Sequence, residues 1–262
     1  MVLPRKALLE SSRHPLLLAS VVEAAEQALR TWEPVWTPLL PPEVLEEASG
    51  RLGILAELDL QSWGGFPGAE RQRLLLQRSE APLAREALEA DLWGLEISGN
   101  FLFDPATRED LASGLAAAGV ADGERGDLWL RGDRGGQAVV LGAAAERLHG
   151  QAGQVRTVPV TFERRPLEEL QLPASRQPRL LTVVEASLRL DAVASAGFGV
   201  SRNRMATAIR QGELRVDWQP VQSPSRELAA GERVRWQGRG ELEVVAVAPT
   251  KRGRLRIELL RR

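Results

Sequence analysis

The stretch GVSRNRMATAIRQGELRV, Gly199 to Val216, reads as a capped amphipathic helix running into a strand. Ser201 is a good N-cap, and Val200 and Met205 stand at hydrophobic-staple positions. On a helical wheel Met205, Ala206, Ala208 and Ile209 fall on one side. Asn203, Arg204, Thr207, Arg210 and Gln211 fall on the other. Arg202 lies nearer the apolar side, but from the first turn it can still project outward. Gly212 ends the helix. Alternation then puts Leu214, Val216 and Trp218 on one face of a strand and Arg215 and Asp217 on the other. Such a cationic face is either a solvated helix surface or an anion-binding one. The free N–H groups at a helix N-terminus favour anions as well.

Charge across the chain bears on that choice. The 262 residues carry a formal net charge of -1, yet the two ends differ. Residues 176–262 hold 17 Lys and Arg against 9 Asp and Glu, a net of +8, while residues 1–175 carry -9. The asymmetry suits an anion-binding module on an acidic body, or opposite charges that hold two modules together. Almost every basic residue is arginine, Lys6 and Lys251 being the only lysines. Arginine forks fit phosphates, and a GC-rich genome produces the same bias.

The rest of the composition, 44% hydrophobic and 26% charged, is that of a soluble globular chain long enough for more than one module. The absence of cysteine excludes disulfides and thiolate metal sites and fits a reducing compartment. No apolar run approaches the roughly 18 residues of a membrane span. Residues 16–22, LLLASVV, read as one face of a helix rather than a signal core, because charged residues and Pro15 interrupt the approach and Glu23 closes it.

Helical spacing predicts a helix over 5–30, with Leu8, Leu9, Leu16, Leu17, Val21, Ala24, Ala25 and Ala28 as its buried stripe. Prolines at 34, 38, 41 and 42 forbid its continuation, and Pro42 opens a second helix to about Leu52. Strands are expected toward the end of 54–62, in RLLLQR and at 93–98, with WGGFPGAERQ as the intervening turn-rich break. A helix capped by Thr107 and ended by Gly119 follows. Then come a hairpin turning at Asp133 to Gly136, a short helix AAERLHGQ and one strand, VRTVPVTF. This order suggests a small sheet with helices on one face. Residues 166–180, with three prolines, read as a linker.

RLDAVASAGFGVSRNRMATAIRQGELRVDW resembles an S4 RNA-binding domain. The resemblance rests on Arg189, Leu190 and Asp191 at the first helix, on Ser201, Arg202 and Ala206 in the second, and on Ile209, Gly212 and Val216. Many S4 domains read Val-Asn-Gly where this chain has Val-Asp-Trp, 216–218. WGGFPGAERQRLLL, residues 63–76, resembles the corresponding segment of YlmH-type proteins, as do TREDLASGLAAAGV, GDLWL and the TKRGRLRI ending. The cyanobacterial and plastid branch of that family is known as the photosystem II S4 domain proteins. The resemblance implies an RRM-like middle domain and an S4 tail that binds structured RNA. It also implies association with the large ribosomal subunit and rescue of stalled translation.

The chain is therefore expected to be α+β. Its parts are a helical segment over 1–52, an RRM-like α/β domain over 53–170 and an S4 domain of the αL type over 183–262. The expected RNA-contacting set is Arg189, Ser201, Arg202, Asn203, Arg204, Thr207, Arg210, Gln211, Arg215, Lys251 and Arg252. The expected partner is structured RNA, ribosomal or transfer, on the ribosome in the cytoplasm. Membrane insertion, a cofactor and a metal are not expected. Asp191 lies in an Arg-Leu-Asp triplet like that of some pseudouridine synthases, but S4 domains carry the same triplet as a cap or ion pair. His14 and His149 lack metal-ligand spacing, and no Walker A loop or Gly-x-Ser-x-Gly elbow occurs. The reading is thus non-catalytic. Its competitors are a protein-docking or assembly factor linked to photosystem II and an RNA-modifying enzyme. Arg71 and Arg73 either add to an RNA surface or pair internally with Glu70, and Trp63, Trp93 and Trp129 are expected in the core.

Overall fold

In the computed structural model, which describes residues 3–81, 91–173, 178–236 and 239–262, the helix expected over 5–30 is two helices. α1 spans Arg5–Leu9 and α2 spans Pro15–Thr31. Ser11 takes a positive φ of 55° between them, and Pro15 starts α2 in the first turn, where its missing N–H costs nothing. The break resets the helical phase. α2 buries Leu18, Val21, Val22, Ala25, Ala28 and Leu29, while Leu16 is 87% exposed and Leu17 44%. The expected stripe was therefore right from Val21 onward and wrong at Leu16 and Leu17.

α3 (Pro42–Leu52) follows the short strand β1 (Val35–Trp36). β1 joins β2 (Leu58–Trp63) and β3 (Arg73–Arg78) in an antiparallel sheet ordered β1-β3-β2. Leu58, Leu74 and Leu76 of this sheet share one core with Leu18, Val22, Leu29, Val44, Ala48 and Leu52 of the helices. The boundary expected at 52/53 thus runs through a core. Without residues 58–78 the helices would have only one another to bury their apolar faces against.

β4 (Leu92–Ser98), β5 (Arg125–Leu130), β6 (Gly135–Leu141), β7 (Ala152–Val155) and β8 (Val158–Arg165) make an antiparallel sheet ordered β5-β6-β4-β8-β7. α4 (Arg108–Ala117) follows β4, and α5 (Gly142–Leu148) follows β6. With β7 set aside, this is the βαββαβ connectivity of an RRM-like sheet. Thr107 caps α4, its Oγ1 accepting from Asp110 N while the Asp110 carboxylate accepts from Thr107 N. The segment expected as one strand, VRTVPVTF, is a hairpin: Arg156 turns the chain at φ 55° between β7 and β8.

Leu95, Ile97, Ala138, Val140 and Phe162 of the sheet pack with Leu111, Leu115, Ala144 and Leu148 of the helices. The opposite face is also covered. Val139 and Trp129 pack with Leu39 and Leu170, flanked by Trp63 and Phe66. The first half of the expected linker belongs to this layer. Leu170 is buried, Gln171 N donates to Gln137 Oε1 and Gln171 O accepts from Trp129 Nε1.

Residues 64–72 join the two sheets. Gly65 has a φ of 95°, and a Cβ there would press on Val139. The Asp127 carboxylate accepts from the backbone N–H groups of Glu70 and Arg71 at 2.6 and 2.9 Å. Arg71 donates to the carbonyls of Arg125, Leu39 and Asp122 and to Asp122 Oδ2. Arg73 donates to Thr37 O and Asp91 Oδ2. Both arginines are structural, with Asp122 and Asp91 as their acidic partners.

The chain divides into two compact units, Met1–Pro173 and Ala174–Arg262. In the second, β9 (Arg179–Glu185) precedes α6 (Leu190–Phe198) and α7 (Arg202–Arg210). β10 (Leu214–Val216), β11 (Gln219–Pro220), β12 (Arg233–Trp236), β13 (Gly240–Pro249) and β14 (Leu255–Arg261) complete it. Its antiparallel sheet is ordered β11-β10-β12-β13-β14-β9. The strand that opens the unit begins at 179, ahead of the expected 183, because β9 pairs along its length with β14, from Arg179–Arg261 to Glu185–Leu255.

Candidate nucleic-acid interface

α6 and α7 lie on one face of the six-stranded sheet. Leu190, Val193, Ala194 and Phe198 of α6 and Met205, Ala208 and Ile209 of α7 pack onto Leu214, Val216, Val234, Trp236, Leu242, Val244, Ile257 and Leu259. Gly199 closes α6 in the left-handed region at φ 69°, and the Val200 N–H returns to Ser195 O. Ser201 then caps α7, its Oγ accepting from Arg204 N at 3.3 Å. The apolar stripe and the caps together fix which face of α7 meets water.

That face carries Arg202, Asn203, Arg204, Thr207, Arg210 and Gln211, all exposed. Among the described residues Arg204 and Arg210 make no side-chain hydrogen bond or ion pair. They stand about 9 Å apart along the helix axis. Thr207 Oγ1 donates to Asn203 O at 3.0 Å, which leaves its lone pairs outward.

Arg189 and Arg202 are placed differently. Arg189 donates through Nε and Nη2 to both oxygens of Asp191, at 3.1 and 3.0 Å, and Arg202 Nη2 donates to Asp191 Oδ1 at 3.0 Å. Asp191 is buried, whereas the two arginine side chains are 39% and 52% exposed. Burial pushes the Asp191 carboxyl up. The hydrogen bonds and charges of Arg189 and Arg202 outweigh it and hold the group below the ordinary aspartate range. The same bond raises the Arg189 guanidinium. This bridge ties the start of α7 to the start of α6. It directs two guanidinium stems without consuming all their donors.

Arg215 is exposed on β10. Lys251 and Arg252 are exposed at the tip of the β13–β14 turn, which Thr250 closes by accepting from Arg254 N and donating to Arg254 O. The expected set therefore falls in three places: the α6–α7 pair joined through Asp191, the strand β10, and a separate turn.

Trp218 is not on the core face with Leu214 and Val216. Val216 pairs with Gln219, so Asp217 and Trp218 are the two residues of a hairpin turn, both at positive φ, 45° and 68°. The turn ends the strand's alternation. The ring instead meets Arg235 and Arg233, whose Cζ atoms lie 4.8 and 5.9 Å from its centroid. Arg235 is directly opposite Arg215 across the ladder. The sequence offered one sign of this cluster, the Asp-Trp pair where Asn-Gly suits the turn.

A family model described as YlmH, N-terminal, matches residues 17–81, and a model of the S4 domain matches residues 188–234. The ribosome-associated protein quality control protein P2 of Bacillus subtilis (strain 168) is 25% identical over 203 residues, covering 77% of each chain. The cell division protein ylmH from Streptococcus pneumoniae, a solved structure, is 20% identical with a TM-score of 0.47, over 61% of this chain and 94% of that one. No helix among the described residues is long and apolar enough to cross a membrane.

Proposed function

We propose that this chain, which joins a YlmH N-terminal domain to an S4 domain, binds structured RNA through the exposed face of α7 and catalyses no reaction on it. The observation that carries the reading is the pair Arg204 and Arg210, exposed on a rigidly capped helix. The capped helix fixes where both side chains start, so only their own rotamers are ordered when they meet phosphates. Arg189 and Arg202, aimed by Asp191, Asn203, Thr207 and Gln211 beside them, and Arg215, Lys251 and Arg252 nearby in sequence or at the turn extend the contact set. Asp191 serves as the anchor of two arginines rather than as a reacting group, which supports the non-catalytic reading.

The RNA is ribosomal or transfer RNA on the large ribosomal subunit, and the role is in translation quality control in the cytoplasm. The Bacillus subtilis relative is named for ribosome-associated protein quality control, which supports this assignment. The test is co-sedimentation of the full chain with large ribosomal subunits, with and without ribonuclease, over a salt series. Four or five phosphate contacts give a slope of log K against log salt of about -3 to -4. A flat salt response, or a protein partner retained after nuclease, overturns the reading in favour of a docking factor.

A further inference from the structure

We propose that Trp218 is a stacking platform for one unpaired base of the bound RNA, with Arg215 and Arg235 beside it for the flanking phosphates. The inference rests on the RNA-binding reading above and adds the part of the ligand that α7 does not address.

Three observations converge on this point. The first is backbone conformation. A two-residue hairpin turn with positive φ at both positions favours Asn-Gly or Asp-Gly. Asp217 fits that rule; Trp218, at φ 68°, does not. A bulky side chain in the left-handed region is an outlier, and such outliers gather where a site needs the side chain. The second is composition around the ring. Arg235 lies 4.8 Å from its centroid and Arg233 5.9 Å. An indole with guanidinium groups set over its ring combines an aromatic surface with positive charge, the two features of a nucleotide reader. The third is register. Arg215 and Arg235 sit directly opposite each other, and like charges so placed oppose pairing.

Three carboxylates adjoin the cluster in register or in sequence. Glu241 and Glu243 are the ladder partners of Arg235 and Arg233. Both also accept from Arg262, at 3.4 and 3.0 Å. Asp217 Oδ1 accepts from the Arg233 backbone N–H at 3.0 Å. Arg215, Asp217, Trp218, Arg233 and Arg235 each hold a further interaction within the chain, so the arginines' share of the site is charge and orientation. The stacking itself belongs to the half-buried Trp218.

The test uses the full chain and two RNA hairpins with the same stem, one blunt and one ending in about six unpaired adenosines. The wild-type chain binds the tailed hairpin more tightly. Trp218→Gly suits the turn, so its Tm is unchanged or raised. The same substitution weakens binding of the tailed hairpin by about 5- to 100-fold and leaves the blunt one unaffected. Trp218→Phe keeps most of the preference for the tail. Three results overturn the platform alone: equal wild-type affinity for both hairpins, equal loss on both with Trp218→Gly, or a lowered Tm with no change in tail preference. Failure of the wild-type chain to bind either hairpin overturns the RNA reading with it.

Discussion

Arg71 and Arg204 are the same residue in opposite situations. Arg71, in the first unit, donates to three backbone carbonyls and the Asp122 carboxylate, at 2.7 to 3.2 Å. Its neighbour Arg73 is similar: burial pushes its guanidinium below the ordinary arginine range, with the Asp91 charge opposing. Arg204, in the second unit, is exposed on α7 with its donors directed to solvent. Arg189 and Arg202 lie between these cases, each sharing Asp191. Net charge counts all of these alike. What separates scaffold from contact surface is how many N–H donors the fold has already used.

Four variants break or sharpen this contrast. Arg71→Ala strands carbonyls that the guanidinium satisfies and costs about 3 kcal/mol in urea denaturation, with RNA affinity of the folded fraction unchanged. A normal melt with lost RNA binding would move Arg71 to the other side of the comparison. Asp191→Asn leaves two arginines without their carboxylate and costs about 1–2 kcal/mol after solvent screening. Its wild-type counterpart is a pH effect. Because the folded carboxyl is held below its ordinary value near 3.8, its contribution is full above that pH. It is lost as pH falls through the lower folded value, and amide exchange in α6 and α7 should accelerate there. The acceleration should vanish in Asp191→Asn.

Ser201→Ala removes the cap of α7 and costs about 1 kcal/mol. Affinity should drop only as far as the first turn frays, which exchange at Arg204 N reports. Arg204→Ala with Arg210→Ala has the smallest effect on stability, within about 0.5 kcal/mol. Yet it should flatten the salt slope by about 1.5, near 0.7–0.9 per phosphate contact. Should stability and affinity fall together, these two are scaffold as well.

The helix pair and its exposed face were legible because cap, staple and wheel agree from Ser201 to Gly212. Local rules sufficed there. They failed where a long-range partner decides. Ser11 and Pro15 restart the helix phase, which periodicity across 5–30 cannot register. The division at 52/53 failed because the helices and residues 58–78 bury each other. Residues 167–171 look like linker until Trp129 and Gln137 are in place to bond Gln171. Trp218 was misplaced by alternation, since two positive φ values end a strand's period of two. Arg233 and Arg235 were missed for a different reason: only strand register brings them beside Arg215 and the ring. Residues 82–90, which separate β3 from β4, lie outside the described residues.

The pairing of β9 with β14 constrains how the second unit is made. During synthesis Leu181 and Val183 emerge early, and the strand that shelters them is translated only at 255–261. Closure of this sheet is therefore a late, non-local event, of the kind that slows folding. A product cut short before Leu255 leaves β9 as an unzipped edge, exposed to the first foreign strand it meets.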